Sequence, residues 1–135
     1  MRRDDVLNYL ALYLRDFLYH IKFASELINI IAGSGYETAF FRIFIARLRL
    51  LALLKTDAVK HKEFEHLKDC ELYSFHVNGK GFNIRILYSF LPDGCPVLLL
   101  AFYEREGKRK TDYTDYIEPA LSRFNEMKEG YKNEY

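Results

Sequence analysis

Cysteine is scarce in this sequence, and that scarcity excludes one way of holding a small chain together. Cys70 and Cys95 are the only thiols among 135 residues, too few for a disulfide framework. Neither CxxC nor a Cys/His cluster supplies zinc spacing. Reduced thiols suit a reducing compartment, so a cytoplasmic protein is the expectation. Tryptophan is absent. An excess of one sign of charge is absent too: 20 Lys and Arg face 19 Asp and Glu, a net of +1. Composition alone therefore makes no case for a nucleic-acid binder. A long apolar run is also missing. The most apolar window, Ala39 to Leu54, carries Arg42, Arg47 and Arg49, so it is too short and too charged to span a bilayer. Met1-Arg2-Arg3 is followed at once by Asp4 and Asp5, and Arg15 and Asp16 interrupt the apolar stretch behind them. No secretory leader is expected.

What is present is a large apolar and aromatic content. Half of the residues are hydrophobic, and 11 Tyr and 11 Phe supply rings with much area to bury. A chain of this length suits one domain, here taken as 1–135, that buries roughly two-thirds of its unfolded surface. Charge is uneven: residues 55–110 carry ten Lys/Arg and eight Asp/Glu, while 111–135 carry three and six. The densest basic run is Lys108-Arg109-Lys110, which reads either as a solvated turn or as an attractor for phosphate.

Periodicity divides the chain into three parts. Leu7, Leu10, Leu14, Phe17, Ile21, Ala24, Ile28 and Ile31 step by three and four. They predict one helix over 4–32, with Asp4 and Asp5 at its start and Gly33 just past its end. The alternation within Phe17–Phe23 offers a strand as the second reading. Phe40, Phe44, Leu48, Leu51 and Leu54 predict a second helix over 36–55, so 1–55 is expected to form a helical hairpin. The polar stretch Lys60–Lys68 separates it from a change of period. Residues 72–77 alternate, Asn78-Gly79-Lys80-Gly81 is a turn, 82–91 alternates, Pro92-Asp93-Gly94 turns again, and 95–103 is nearly all apolar. This predicts a three-stranded antiparallel meander over 70–104, with the last strand covered on both faces. A charged loop follows. A closing helix is expected over 113–129, its regular part beginning near Pro119, with Ile117, Leu121, Phe124 and Met127 inward. The fold class is α+β.

The run Leu72-Tyr73-Ser74-Phe75-His76-Val77, then Phe82-Asn83-Ile84-Arg85-Ile86-Leu87-Tyr88, then Leu98-Leu99-Leu100-Ala101-Phe102-Tyr103-Glu104-Arg105 resembles the RelE/ParE toxin superfamily. It is most similar to the HigB-like, phage-derived branch. Ile117, Ala120 and Arg123 match that branch's C-terminal helix, and the likeness covers about 55–128. The order and spacing of the segments carry it, not any single motif. In the family pattern an arginine stands where His76 falls and a glutamate where Ser74 falls, and the family opens with a strand. The resemblance implies a RelE-like twisted antiparallel sheet packed against a helical hairpin. It also implies the toxin of a type II toxin–antitoxin pair, commonly an mRNA interferase acting on the ribosome, or, in the ParE branch, a gyrase poison.

RNA cleavage of this kind needs no metal or cofactor. The 2′-hydroxyl attacks the adjacent phosphate, a base takes its proton, a cation supports the phosphorane, and an acid protonates the 5′-oxygen. Arg85 alternates away from Ile84 and Ile86, and its guanidinium suits a phosphate or a surface carboxylate. His76 suits acid–base work, and a lone strand histidine equally suits a structural place. Arg105 completes the catalytic candidates, reading also as a partner of Glu104 or Glu106. Lys60, Lys62, Lys108, Arg109, Lys110, Tyr103 and Tyr113 are the RNA-binding candidates, the tyrosine at 113 by stacking on a base. A non-catalytic relative held by a partner is the competing expectation. The partners expected are an antitoxin with a helix-turn-helix, mRNA and the ribosome, no membrane, and a second copy through the apolar N-terminal helices.

Overall fold

Two layers of helix enclose one sheet. The computed structural model describes residues 1–104 and 112–133. In chain order the elements are α1 (Arg3–Tyr13), β1 (Leu18–Tyr19), α2 (Ile21–Ile31), α3 (Glu37–Leu54), a 3-10 turn (Lys55–Lys60), β2 (Phe64–His66), β3 (Tyr73–Gly79), β4 (Phe82–Phe90), β5 (Pro96–Tyr103) and α4 (Thr114–Asn133). The class is α+β, and the sheet has five strands in the order β1-β5-β4-β3-β2.

The single helix expected over 4–32 is two helices with a strand between them. The stripe breaks after Tyr13 because Leu18 and Tyr19 pair in parallel with Val97 and Leu98. The His20 N–H then donates to the Leu98 carbonyl at 2.9 Å. His20 also caps α2, its Nδ1 accepting from the Lys22 N–H at 3.1 Å. The break rotates the buried face: α2 buries Phe23, Leu27, Ile28 and Ile31, while Ile21 is 77% exposed. Strand pairing that satisfies backbone groups has overridden a side-chain period. The strand reading of 17–23 therefore holds for two residues, and it makes the sheet mixed rather than antiparallel throughout.

The expected helical hairpin is likewise altered. Gly33, in the left-handed region at φ 76°, ends α2 as a C′ glycine should. α2 then lies over β5 and α3 over β3, so the two helices share a sheet face. Beneath them Phe23, Phe40, Phe44, Phe75, Ile84, Ile86 and Tyr88 form the larger core. α1 packs against this layer through Tyr9 and Tyr13, whose rings lie 5.6 and 5.5 Å from that of Phe41.

β3, β4 and β5 form the antiparallel meander as read. The turn is Lys80-Gly81, two residues beyond the Asn-Gly pair, and Gly79 faces Phe82. A register shift between Leu87 and Tyr88 skips Leu99 and turns both Leu99 and Leu100 toward α4. The second core, around Leu87, Leu99, Phe102, Ala120 and Phe124, lies there. α4 begins at Thr114, five positions before the residue expected to open its regular part, and keeps Pro119 inside it. The polar stretch 60–68 contains the edge strand β2. No described helix is long and apolar enough to cross a membrane.

Candidate functional site

Register decides which side chains of the meander meet. Asn78 pairs with Asn83, so counting inward puts His76 directly opposite Arg85. Both project from the face that α4 covers only in part. Glu104 follows β5 on the same face, and its N–H donates to the Asn83 carbonyl at 2.8 Å. α4 starts beside this patch, which leaves a cleft of about 660 Å³ between β2, the β3–β4 pair and the helix start. His76, Arg85, Lys62, Glu65, His66 and Tyr113 are among the residues lining it.

Arg85 is held from two sides. Its Nε donates to Glu104 Oε2 at 2.7 Å, and its Nη1 donates to His76 Nδ1 at 3.0 Å. Asn83 Nδ2 donates to the same Glu104 oxygen at 3.1 Å. The pair is largely dry, with the arginine side chain 17% and the glutamate 7% exposed. An ion pair this buried needs both members, since removing one strands a charge at about 3–5 kcal/mol.

His76 is fixed at backbone and ring alike. Its N–H donates to the Glu63 carbonyl at 3.1 Å, and its own carbonyl accepts from Arg47 Nε at 3.0 Å. Burial, and then the Arg85 and Arg47 cations, hold the imidazole below its ordinary pKa. With Nδ1 accepting from Arg85, the ring proton sits on Nε2.

The opposite wall is built around Tyr113. Its hydroxyl donates to Glu65 Oε1 and lies 3.1 Å from Ser74 Oγ. Burial, then the Glu65 hydrogen bond, push the phenol up to about 12, so it stays a neutral donor. Tyr113 is thus anchored to β2 and β3 by polar contacts, and its ring meets Phe102 edge-on at 6.0 Å.

The other expected site residues divide. Lys62 lines the cleft. Lys60 lies on the 3-10 turn, exposed, 3.7 Å from Asp57, and is not among the lining residues. Tyr103 pairs with Ile84 and so belongs to the opposite sheet face, where its hydroxyl donates to the Gly81 carbonyl at 3.2 Å. Arg105, Lys108, Arg109 and Lys110 lie outside the described residues. The pairing of Arg105 with Glu104 lies outside the described residues, and Glu104 Oε2 lies 2.7 Å from Arg85 Nε.

Glu65 and Asn83 were not singled out from the sequence. Glu65 sits in a three-residue strand hidden in a polar stretch, which leaves almost no alternation to read. Asn83 and Glu104 could have been found by counting from the turn, had its position been known. Arg123, matched to the resemblance by spacing, does not line the cleft. Its Nη1 and Nη2 grip Glu26 at 2.7 and 2.8 Å, and Nη1 also donates to the Leu99 carbonyl at 3.0 Å.

No protein-family model matches this chain, and no curated protein matches it. Among the described residues no group of three or more His, Cys, Asp or Glu side chains is placed to hold a metal ion. What the cleft offers is a guanidinium, a neutral imidazole, a carboxylate and a phenol around one space.

Proposed function

We propose that this chain is a toxin of the RelE/ParE type, with a RelE-like sheet, that cleaves messenger RNA without a metal and acts at the ribosome. The observation that carries the reading is the cross-strand pairing of His76 with Arg85 at the floor of an open cleft. In it, Arg85 binds the scissile phosphate and supports the phosphorane charge. Glu65, an exposed carboxylate of the cleft, takes the 2′-proton, His76 donates to the phosphate, and water protonates the departing 5′-oxygen. The products are a 2′,3′-cyclic phosphate and a 5′-hydroxyl. Lys62 and the run 108–110 hold the RNA backbone, and Tyr113 borders the base. The cytoplasm, an antitoxin with a helix-turn-helix, mRNA and the ribosome complete the proposal. Leu12, Ile21 and Leu53, each more than half exposed, are the apolar surface open to a second copy.

Expression in bacteria followed by primer extension tests this. Growth arrest with new message ends is the expected result, and Arg85→Lys should relieve it. Arrest with intact transcripts would reject the nuclease. One observation favours a second reading, a non-catalytic binding protein such as a gyrase poison: Arg85 already faces the Glu104 carboxylate, which offsets its charge. DNA damage without RNA cleavage would mark that outcome.

A further inference from the structure

The contacts of Arg85 form a chain with a direction. Glu104 takes the Nε edge of the guanidinium at 2.7 Å, and Asn83 Nδ2 holds the same carboxylate oxygen at 3.1 Å. A guanidinium is planar and rigid, so fixing one edge fixes the others. Nη1 is thereby aimed at His76 Nδ1, 3.0 Å away. A guanidinium has no lone pair to offer, so His76 must accept at that nitrogen. The ring's second nitrogen, Nε2, then carries the only proton.

We propose that Glu104 is a positioning residue that acts through Arg85 to lock His76 as the Nε2–H tautomer, making the imidazole a hydrogen-bond donor to a phosphate oxygen in the cleft. The assignment rests on the reading above only for the identity of the phosphate as RNA. It removes His76 from the role of proton acceptor, because Nδ1 is occupied and Nε2 already bears hydrogen. It also accounts for a carboxylate buried beside a phosphate-binding cation. Glu104 lowers the net charge of the site, and in return it orients two donors at once.

The charged groups that act on His76 come from four places. Arg85 lies on β4, Arg47 on α3, Glu63 just before β2, and Glu104 at the end of β5. Removing Arg85 deletes both a Coulombic opponent of the imidazolium and the donor to Nδ1. Glu104→Gln keeps the shape of the side chain and an oxygen for Nε, but it weakens the grip that orients the fork.

Nitrogen-15 NMR on the full-length chain reads the tautomer directly, with His76→Gln identifying the resonance among the four histidines. The wild type should show His76 protonated at Nε2 alone at pH 7. Arg85→Gln should give a mixture of tautomers and raise the His76 pKa, and Glu104→Gln should give a mixture as well. Amide spectra of each variant confirm the fold. In cleavage assays, Glu104→Gln should lower kcat by about ten- to a hundredfold, as loss of orientation does, while Glu104→Asp recovers part of it. A wild-type His76 protonated at Nδ1 would overturn the proposal. So would a Glu104→Gln protein whose His76 stays purely Nε2–H. A chain that cuts no RNA but passes the NMR test would keep the relay and discard the nuclease; one that cuts RNA and fails it would do the reverse.

Discussion

Arg85 serves the fold and the proposed chemistry together, and the two roles must be separated in any experiment. Truncation to Ala removes the Arg85 cation from the buried Glu104 carboxylate. Stability should fall by about 3 kcal/mol or more, read as the urea midpoint at constant m-value. The double variant Arg85→Met with Glu104→Leu should recover much of that loss, because no buried charge remains. A single variant within about 0.5 kcal/mol of wild type would mean that the pair is solvated in solution. Loss of growth arrest in Arg85→Ala is therefore uninformative until its folding is measured, which is why Arg85→Lys is the better functional probe. His76 carries a different signature. Its folded pKa lies below the ordinary value, because of burial and then Arg85 and Arg47. The unfolded chain then binds more protons over the interval between the two values. His76's contribution to stability is complete above about pH 6.5 and is lost as pH falls through the folded pKa. Denaturation of wild type and His76→Gln from pH 8 to 5 should show the wild type losing more. Parallel profiles would remove His76 from the pH dependence.

At the scale of elements, the backbone edge of β5 beyond β1 is the part most in need of protection, although its side chains are buried as far as Phe102. β1 covers only Val97 and Leu98, and the edge beyond is closed by side chains from two helices. Glu26 of α2 accepts from the Ala101 N–H at 3.1 Å, and Arg123 of α4 donates to the Leu99 carbonyl at 3.0 Å. The two side chains grip each other across the edge, so the clasp blocks pairing by another strand. Glu26→Ala should speed hydrogen exchange at Ala101 while the central amide of Ile86 stays slow. Unchanged exchange at Ala101 would show that α4 alone shields the edge. The turn between β3 and β4 makes a second prediction. Gly81 has φ 84° with open space around it, so Gly81→Ala should cost about 1 kcal/mol in strain alone. At Gly79 an added methyl meets the Phe82 ring at 2.7 Å, so Gly79→Ala should cost more, by the same denaturation measurement. These elements also mark the limits of reading the sequence. The meander, Gly33 and the inward face of α4 were legible because period and turn chemistry are local. β1 was legible only as the second reading of 17–23 and β2 not at all, because strands of two and three residues carry almost no period and exist only through their neighbours. The cross-strand meeting of His76 and Arg85 needed the turn's position to within one residue, and a turn read as the four residues 78–81 contains the observed Lys80-Gly81 pair without fixing the register.

For the whole molecule, near-neutral charge limits how any polyanion can be held. The net of +1 gives no long-range attraction, so affinity for RNA must come from contacts within reach of the cleft. Its wall mixes signs: Lys62, Lys68 and Arg85 stand among Glu63 and Glu65. Three cations at the phosphates would release about three counterions, and for single-stranded RNA the slope of log K against log salt would be about −2. If Arg105, Lys108, Arg109 and Lys110 also reach the backbone, seven contacts predict a slope of about −5. Fluorescence anisotropy with a short labelled RNA, titrated at several salt concentrations, distinguishes these values. Replacing Lys108, Arg109 and Lys110 together by Gln should then bring the steep slope back by about 2 units without altering the response to Arg85→Lys. A slope near zero in the intact chain would mean that no phosphate is bound, and the cleft would have to be read as a site for a protein partner instead.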